Sequence, residues 1–322
     1  MRLALVGGRG PSGVGTTTFY LSEWLRSSHD NFQIFDTSLP SLLKLGKFRT
    51  VLLVGTLLSI LPVLTFARLK KLKRSARVMA YIAHEGVIPG CVSNLLEDLD
   101  MIVAPSNWNY ELFRSAFHGE IKVIPHGIDT HLFRPLNQES RPFDLAFLTP
   151  SWARHRKGVD IARRVIRQLD AKVLVNFHAW FNSEMKGLRH RLERFEETSY
   201  RALPRFYNMT RMLLFPSRSE GFGLPALEAM ACGTPLVYSD APAHNEFAVG
   251  LSVPVSRTYS GRKDFSPFNL IYYDTEASKY VHQIELLLDD EAMYENLAAK
   301  ARSTAEHYDF RITFEGFRDL LA

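Results

Sequence analysis

The sequence predicts an α/β protein of two Rossmann-like domains, and three observations carry that prediction. Short apolar runs bounded by glycine, proline or polar residues recur at 3–6, 50–54, 77–82, 100–104, 121–124, 144–148, 172–177 and 212–215, as buried parallel strands do. Helix-favouring segments separate them, giving the strand–helix–strand order of parallel sheets. The length of 322 residues suggests two domains.

Composition bounds the function loosely. With 46% hydrophobic and 23% charged residues the chain is globular in type. A formal charge of +5 is compatible with nucleic acid, anionic lipid or phosphorylated substrates and selects none of them. Cys91 and Cys232 form neither a disulfide framework nor a metal-ligand spacing. Residues 1–7 are too short an apolar run for a signal peptide, so a cytoplasmic location is expected, and the sequon at Asn208 is not expected to be glycosylated.

Residues 3–6 form the first strand, and GGRGPSGVGTTTFYLSEWL follows. Gly8, Gly10 and Gly13 satisfy the dinucleotide fingerprint G-x-G-x-x-G, and Asp36, at the end of the strand at 33–35, stands where an acidic partner is tolerable. Gly10, Gly15, Thr16 and Thr17 satisfy the phosphate-loop spacing, but Thr16 replaces the lysine that would hold the terminal phosphates. A tight strand-to-helix turn is the plain alternative.

Residues 50–67, TVLLVGTLLSILPVLTFA, approach the length of a membrane span. Gly55 divides them into a strand at 50–54 and a helix at 57–73, with the next strand at 77–82. The helix is unusually apolar and ends in Arg68, Lys70, Lys71, Lys73 and Arg74. Either the helix is buried with a solvated basic end, or 57–74 lies on an anionic membrane surface. His84 follows a strand end, where parallel sheets present ligand-binding groups, though a core histidine reads the same way. Residues 107–117 read as a helix, and 121–129 end in PHGID. After the strand at 144–148 comes TPSWARHRKGVDIARRVI, whose cations at a helix start complement a diphosphate. Residues 189–197 read as a charged, solvated helix, 203–209 as a short helix, and 277–288, 291–307 and 310–321 as the closing helices.

Residues 215–240, FPSRSEGFGLPALEAMACGTPLVYSD, hold the most specific pattern. Pro216 ends a strand, Gly221 and Gly223 allow backbone to approach a ligand, and Pro225 suits a first helical turn. Gly233 and Pro235 then stop the helix. Loop amides at 220–224 beside a helix N-terminus make an anion site. Glu228, one turn into the helix, can accept from two vicinal hydroxyls of a ribose. Glu220 lies in the loop, with seven residues between the two carboxylates.

SEGFGLPALEAMACGTPLV resembles the E-x7-E signature of the retaining glycosyltransferases of family 4, of the GT-B fold. The resemblance implies two domains facing a central cleft: an acceptor-side domain at 1–138, with the helix at 310–322 packing back on it, and a donor-binding domain at 139–309. It implies that Gly13 and Gly15 approach the donor phosphate, that His84 contacts the donor sugar, and that Lys157 with Arg154 or Arg156 holds the diphosphate. The family's arginine is not at its usual spacing; Trp152 falls near that place. Glu220 would hold sugar hydroxyls, Glu228 the ribose, and the amides of Gly221, Phe222, Gly223 and Leu224 the phosphates. PHGID resembles the family's IPNGVD turn, with His126 in place of asparagine.

The implied activity is retaining transfer of a hexose from a nucleoside-diphosphate sugar to a hydroxyl of a glycan, lipid-linked or small-molecule acceptor. No metal or other cofactor and no nucleic acid is expected, and any membrane attachment would be peripheral, on the inner face. A catalytically degenerate sugar-nucleotide or partner-binding module is the alternative from another class. A sugar-phosphate epimerase or a phosphorylase shares the fold.

Overall fold

A computed structural model describes residues 3–8, 10, 12–28, 31–69, 75–136, 140–150, 152–264 and 266–321. The chain divides into two compact units, Met1–Gly127 with Tyr308–Ala322, and Ile128–His307. Each contains one six-stranded parallel sheet.

In the first unit β1 (Leu3–Gly7), α1 (Gly13–Ser28), β2 (Phe32–Phe35), α2 (Leu39–Leu42), β3 (Thr50–Thr56), α3 (Leu57–Leu69), β4 (Arg77–Ala83), α4 (Gly90–Leu96), β5 (Met101–Ala104), α5 (Asn107–Arg114) and β6 (Glu120–Val123) follow one another. The strand order is β2-β1-β3-β4-β5-β6. Strands β1 and β5 are buried throughout, which explains their unbroken apolar character. Glycine at position 55 does not interrupt β3: it pairs with Ile82. A Cβ there would lie 2.2 Å from the Ser59 hydroxyl, so glycine is needed where α3 turns back on the strand.

The apolar residues of α3 serve the unit. Leu57, Ile60, Val63, Leu64 and Ala67 are buried, and Leu58 is its only large hydrophobic residue that is clearly exposed among those described. The basic residues at 70, 71, 73 and 74 lie outside the described residues. No helix among the described residues is long and apolar enough to cross a membrane.

Residues 308–322 complete this unit. Phe310 stacks on Tyr20 at 4.9 Å, Trp24 donates to Glu315, and Arg77 donates to the Leu320 carbonyl. The expected single closing helix is broken into turns at Phe310–Thr313, Phe314–Phe317 and Arg318–Leu321. His126, in the PHGID turn, is buried; its Nδ1 lies 2.8 Å from the Tyr81 hydroxyl, which donates to the Ile124 carbonyl. That hydroxyl must therefore accept from Nδ1–H, which fixes the tautomer. Burial lowers the His126 pKa to about 3, so the ring is a neutral brace.

In the second unit β7 (Phe143–Phe147), α6 (Val159–Gln168), β8 (Val173–Val175), α7 (Phe177–Phe181), β9 (Leu192–Arg194), α8 (Leu203–Asn208), β10 (Thr210–Phe215), α9 (Leu224–Ala231), β11 (Leu236–Ser239) and β12 (Gly250–Val253) give the order β12-β11-β10-β7-β8-β9. A separate antiparallel hairpin, β13 (Arg257–Gly261) and β14 (Leu270–Asp274), follows, then α10 (Ala277–Asp289) and α11 (Glu291–Glu306).

Two expectations are corrected here. The strand expected at 172–177 stops at Val175, because the Asn176 side chain accepts from the Ala179 amide and caps α7. The charged helix expected at 189–197 is instead a 3₁₀ end and edge strand β9, which pairs Leu192 with Val173. Its arginines are not merely solvated: Arg189 and Arg194 lie over the rings of Trp180 and Phe181.

Candidate donor site

The site is built on the second unit, around the loop between β10 and α9. Leu213, Leu214 and Phe215 of β10 pair with Leu236, Val237 and Tyr238. The chain then runs from Ser217 to Leu224 with every residue buried, so this is no solvated corner. Gly223 caps α9 in the left-handed region, φ 109°, and a Cβ added there would lie 2.8 Å from the Cβ of His244. Pro225 has no N–H and the Ala226 amide donates to the Gly223 carbonyl, so neither position offers a donor to an anion at this helix start. Phe222 packs on Phe247 at 4.8 Å. At the far end Arg141 donates to the Cys232 carbonyl and Arg302 to that of Ala231, both at 2.8 Å. Two guanidinium groups thus complement the negative end of α9 and fix its axis.

Glu220 and Lys157 form an ion pair, their side chains only 5% and 13% exposed. Burial pushes the Glu220 pKa up, but the Lys157 ammonium, with Arg156 nearby, holds it below the usual carboxylate value. Sequence places the two residues 63 positions apart; the fold brings them into contact because Gly158 and Pro216 touch, a Cβ on Gly158 meeting the Pro216 carbonyl at 2.1 Å.

Glu228 is enclosed differently. Its Oε1 accepts from the Tyr200 hydroxyl at 2.9 Å and its Oε2 from that of Tyr207 at 3.0 Å. Burial raises its pKa to about 7 against the opposing effect of both phenols. Each oxygen retains a lone pair for a further donor. Neither tyrosine was legible as a site residue in the sequence; only the meeting of α8 and α9 reveals Tyr207.

The two candidate arginines separate. Arg154 is exposed and reaches the Ser183 hydroxyl at 3.1 Å. Arg156 lies over the Trp152 ring at 5.2 Å, and its charge acts on Glu220. A third arginine, which no local pattern singles out, is the buried one: Arg218 binds both carboxylate oxygens of Asp160, one oxygen of Asp274 and the His155 carbonyl. It braces the loop that carries the basic residues.

His244 was equally illegible in the sequence. It is fully buried, with Nε2 2.8 Å from the Ser239 carbonyl, so Nε2 carries the proton, and burial lowers its pKa to about 4. The ring is neutral, supports Gly223 and stands edge-on to Phe215 at 5.0 Å.

Gly13, Gly15 and His84 belong to the first unit. Gly13 begins α1, and Ser12 caps it by accepting from the Gly15 amide. A Cβ on Gly15 would meet the Gly10 carbonyl at 2.1 Å, so the close approach that demands glycine here is to the chain's own loop. His84 is buried, its amide donates to Asn109, and burial lowers its pKa to about 4. The Asn208 side chain is also buried, and both its polar atoms are used, by Leu136, Arg134 and Pro204. Its sequon is therefore closed in the folded chain.

With this geometry in hand, comparison with known proteins gives a consistent class. Residues 181–304 match the family glycosyl transferases group 1. The lipopolysaccharide core biosynthesis mannosyltransferase LpsB of Rhizobium meliloti is 28% identical over 205 residues, 56% of each chain. A protein of Acidianus filamentous virus 2, whose name assigns it as a glycosyltransferase only provisionally, is 24% identical over 220 residues, 65% of this chain and 64% of that one. The chain thus spans less than two thirds of the length of these relatives. Sucrose-phosphate synthase from Thermosynechococcus elongatus superposes with a TM-score of 0.77 at 16% identity, covering 99% of this chain and 98% of that one. HepE of Anabaena, in complex with UDP and glucose, gives 0.73 at 14% identity, covering 100% and 99%. The fold is that of the GT-B glycosyltransferases, and the stretch that matches the group 1 family includes Glu220 and Glu228.

Proposed function

We propose that the chain is a retaining glycosyltransferase that moves a hexose from a nucleoside-diphosphate sugar to an acceptor hydroxyl. The observation that carries this reading is the pairing of Lys157 with Glu220 on the loop that leads into the helix bearing Glu228. A cation and two carboxylates on contiguous structure suit a phosphate, sugar hydroxyls and a ribose side by side. A degenerate module would have no need to keep this ion pair enclosed.

In this reading Lys157, Arg156 and the amides at 221–224 balance the charge that grows on the diphosphate as the bond from sugar C1 breaks. Glu220 accepts from the sugar hydroxyls, and Glu228 accepts from the ribose. His84 and the loop at Gly13 and Gly15 are assigned to sugar and phosphate by resemblance to family 4. The acceptor oxygen bonds C1 on the face the diphosphate leaves, and its proton passes to the departing phosphate. Similarity to the mannosyltransferase LpsB supports mannose as the sugar, and similarity to HepE, which binds UDP and glucose, supports UDP-glucose.

The test is transfer from UDP- and GDP-linked glucose and mannose to a set of glycan and lipid-linked acceptors, with the product anomer read by NMR. An α-linked product from an α-linked donor, lost in Glu220→Gln, is expected. Inverted product refutes retention. Donor binding with neither hydrolysis nor transfer refutes the enzyme.

A further inference from the structure

No motif marks the hairpin β13–β14 in the sequence, yet Tyr259, Asp264 and Tyr272 tie it to the basic loop. Asp264, at its turn, accepts from two consecutive amides, His155 N–H at 3.0 Å and Arg156 N–H at 2.7 Å. It does so from the left-handed region, φ 53°, where a residue other than glycine is uncommon. Tyr259 of β13 meets His155 Nε2 through its hydroxyl at 2.6 Å, and Tyr272 of β14 places its ring edge-on to the same imidazole at 5.0 Å.

The carbonyls of the same dipeptide are held as well. Arg218 donates from Nη1 to the His155 carbonyl at 2.9 Å and from its own amide to the Arg156 carbonyl at 2.8 Å. Arg218 is anchored in turn to the hairpin: Nε donates to Asp274 at 2.8 Å, and the Tyr273 amide donates to the Arg218 carbonyl at 2.9 Å. All four backbone polar groups of residues 155 and 156 are therefore fixed by the hairpin or by an arginine that the hairpin holds. Lys157 is the next residue, and Arg156 projects from the clamped dipeptide over Trp152.

We propose that β13–β14 is a clamp for the donor diphosphate, with Asp264 as the positioning residue. It fixes the backbone from which Arg156 and Lys157 project, so that both charges are in place before the nucleotide arrives. Preorganised charge is worth more than charge that must be gathered on binding. This rests on the donor-site reading above and adds the device that aims its cations.

Asp264→Asn isolates the effect. Asparagine tolerates the left-handed backbone, but its side chain can accept from only one of the two amides and turns a donor toward the other. Calorimetric titration with UDP and UMP, and with GDP and GMP, separates phosphate binding from base and ribose binding. The expected result is a loss of about tenfold in the preference for diphosphate over monophosphate, the size of one charge-assisted hydrogen bond. Monophosphate affinity and the unfolding midpoint should stay close to wild type.

Equal losses for both nucleotides, or no loss for either, would overturn the clamp. Should Asp264→Asn fail to fold, Tyr259→Phe decides: it removes only the hydroxyl contact to His155, a smaller loss in the same preference is expected, and an unchanged preference overturns the proposal. Wild-type protein that prefers neither diphosphate over its monophosphate overturns the donor-site reading and the clamp together. A wild-type preference that Asp264→Asn retains overturns the clamp alone.

Discussion

Glu228→Gln gives the sharpest test of the buried site, because its effect should depend on pH in a way that packing alone cannot reproduce. Burial raises the Glu228 pKa from an ordinary 4.5 to about 7. Each pH unit of separation between folded and unfolded values corresponds to about 1.4 kcal/mol, so the rise amounts to ~3 kcal/mol. The sign follows from which form the fold prefers. The folded chain favours the protonated carboxyl, so its contribution is fully present below pH 4.5. It is lost progressively as pH rises through the folded value near 7, and is flat above. Glutamine does not titrate. Its own cost, one tyrosine hydroxyl left without a carboxylate acceptor, is the same at all pH values and cancels in a comparison across pH. Urea denaturation of wild type and Glu228→Gln at half-unit steps from pH 4 to 9 should show the variant gaining ~3 kcal/mol on wild type between pH 4.5 and 7. Adding Tyr207→Phe to the wild type removes a donor that favours the carboxylate, and should move the upper end of that window higher. A stability gap that is flat across pH, or that closes with its midpoint near 4.5, would show that Glu228 ionises as if in water and would refute the reasoning.

Three further predictions follow from the same loop. Lys157→Met should abolish donor binding and cost about 3–5 kcal/mol, since it leaves the Glu220 carboxylate buried without its partner; adding Glu220→Gln should recover much of the stability in denaturation and none of the binding. Gly223→Ala should cost about 1–3 kcal/mol for its backbone conformation, with further loss from the contact at 2.8 Å with His244, seen as a lower unfolding midpoint and weaker donor binding. Arg218→Lys should cost about 2–4 kcal/mol, because one ammonium cannot reach Asp160, Asp274 and the His155 carbonyl together; a variant as stable as wild type would show that the brace is dispensable.

The alternation of strands and helices, the loop-to-helix turn at 215–240 and the chemical character of its two carboxylates were legible in the residues alone. These are legible because they are local: a glycine needed at a positive φ, a proline in a first helical turn and an apolar run as long as one strand are all set by neighbours in the chain. Local reading failed where a distant partner decided the conformation. Residues 189–197 carry helix-favouring charges, yet pairing of Leu192 with Val173 and the rings of Trp180 and Phe181 beneath the arginines give a 3₁₀ end and a short edge strand at Leu192–Arg194. What each charged side chain meets depends on how distant segments fold together. Lys157 meets Glu220 because two loops pack at Gly158 and Pro216, and Glu228 meets Tyr207 because α8 lies against α9, with Tyr200 reaching it from the turn before α8. Arg156 stands over Trp152 while Arg154 points to Ser183, although in sequence both serve equally well. The physical reason is that charge and hydrogen bonding act over a few ångströms in space, whatever the separation along the chain, and burial multiplies their strength.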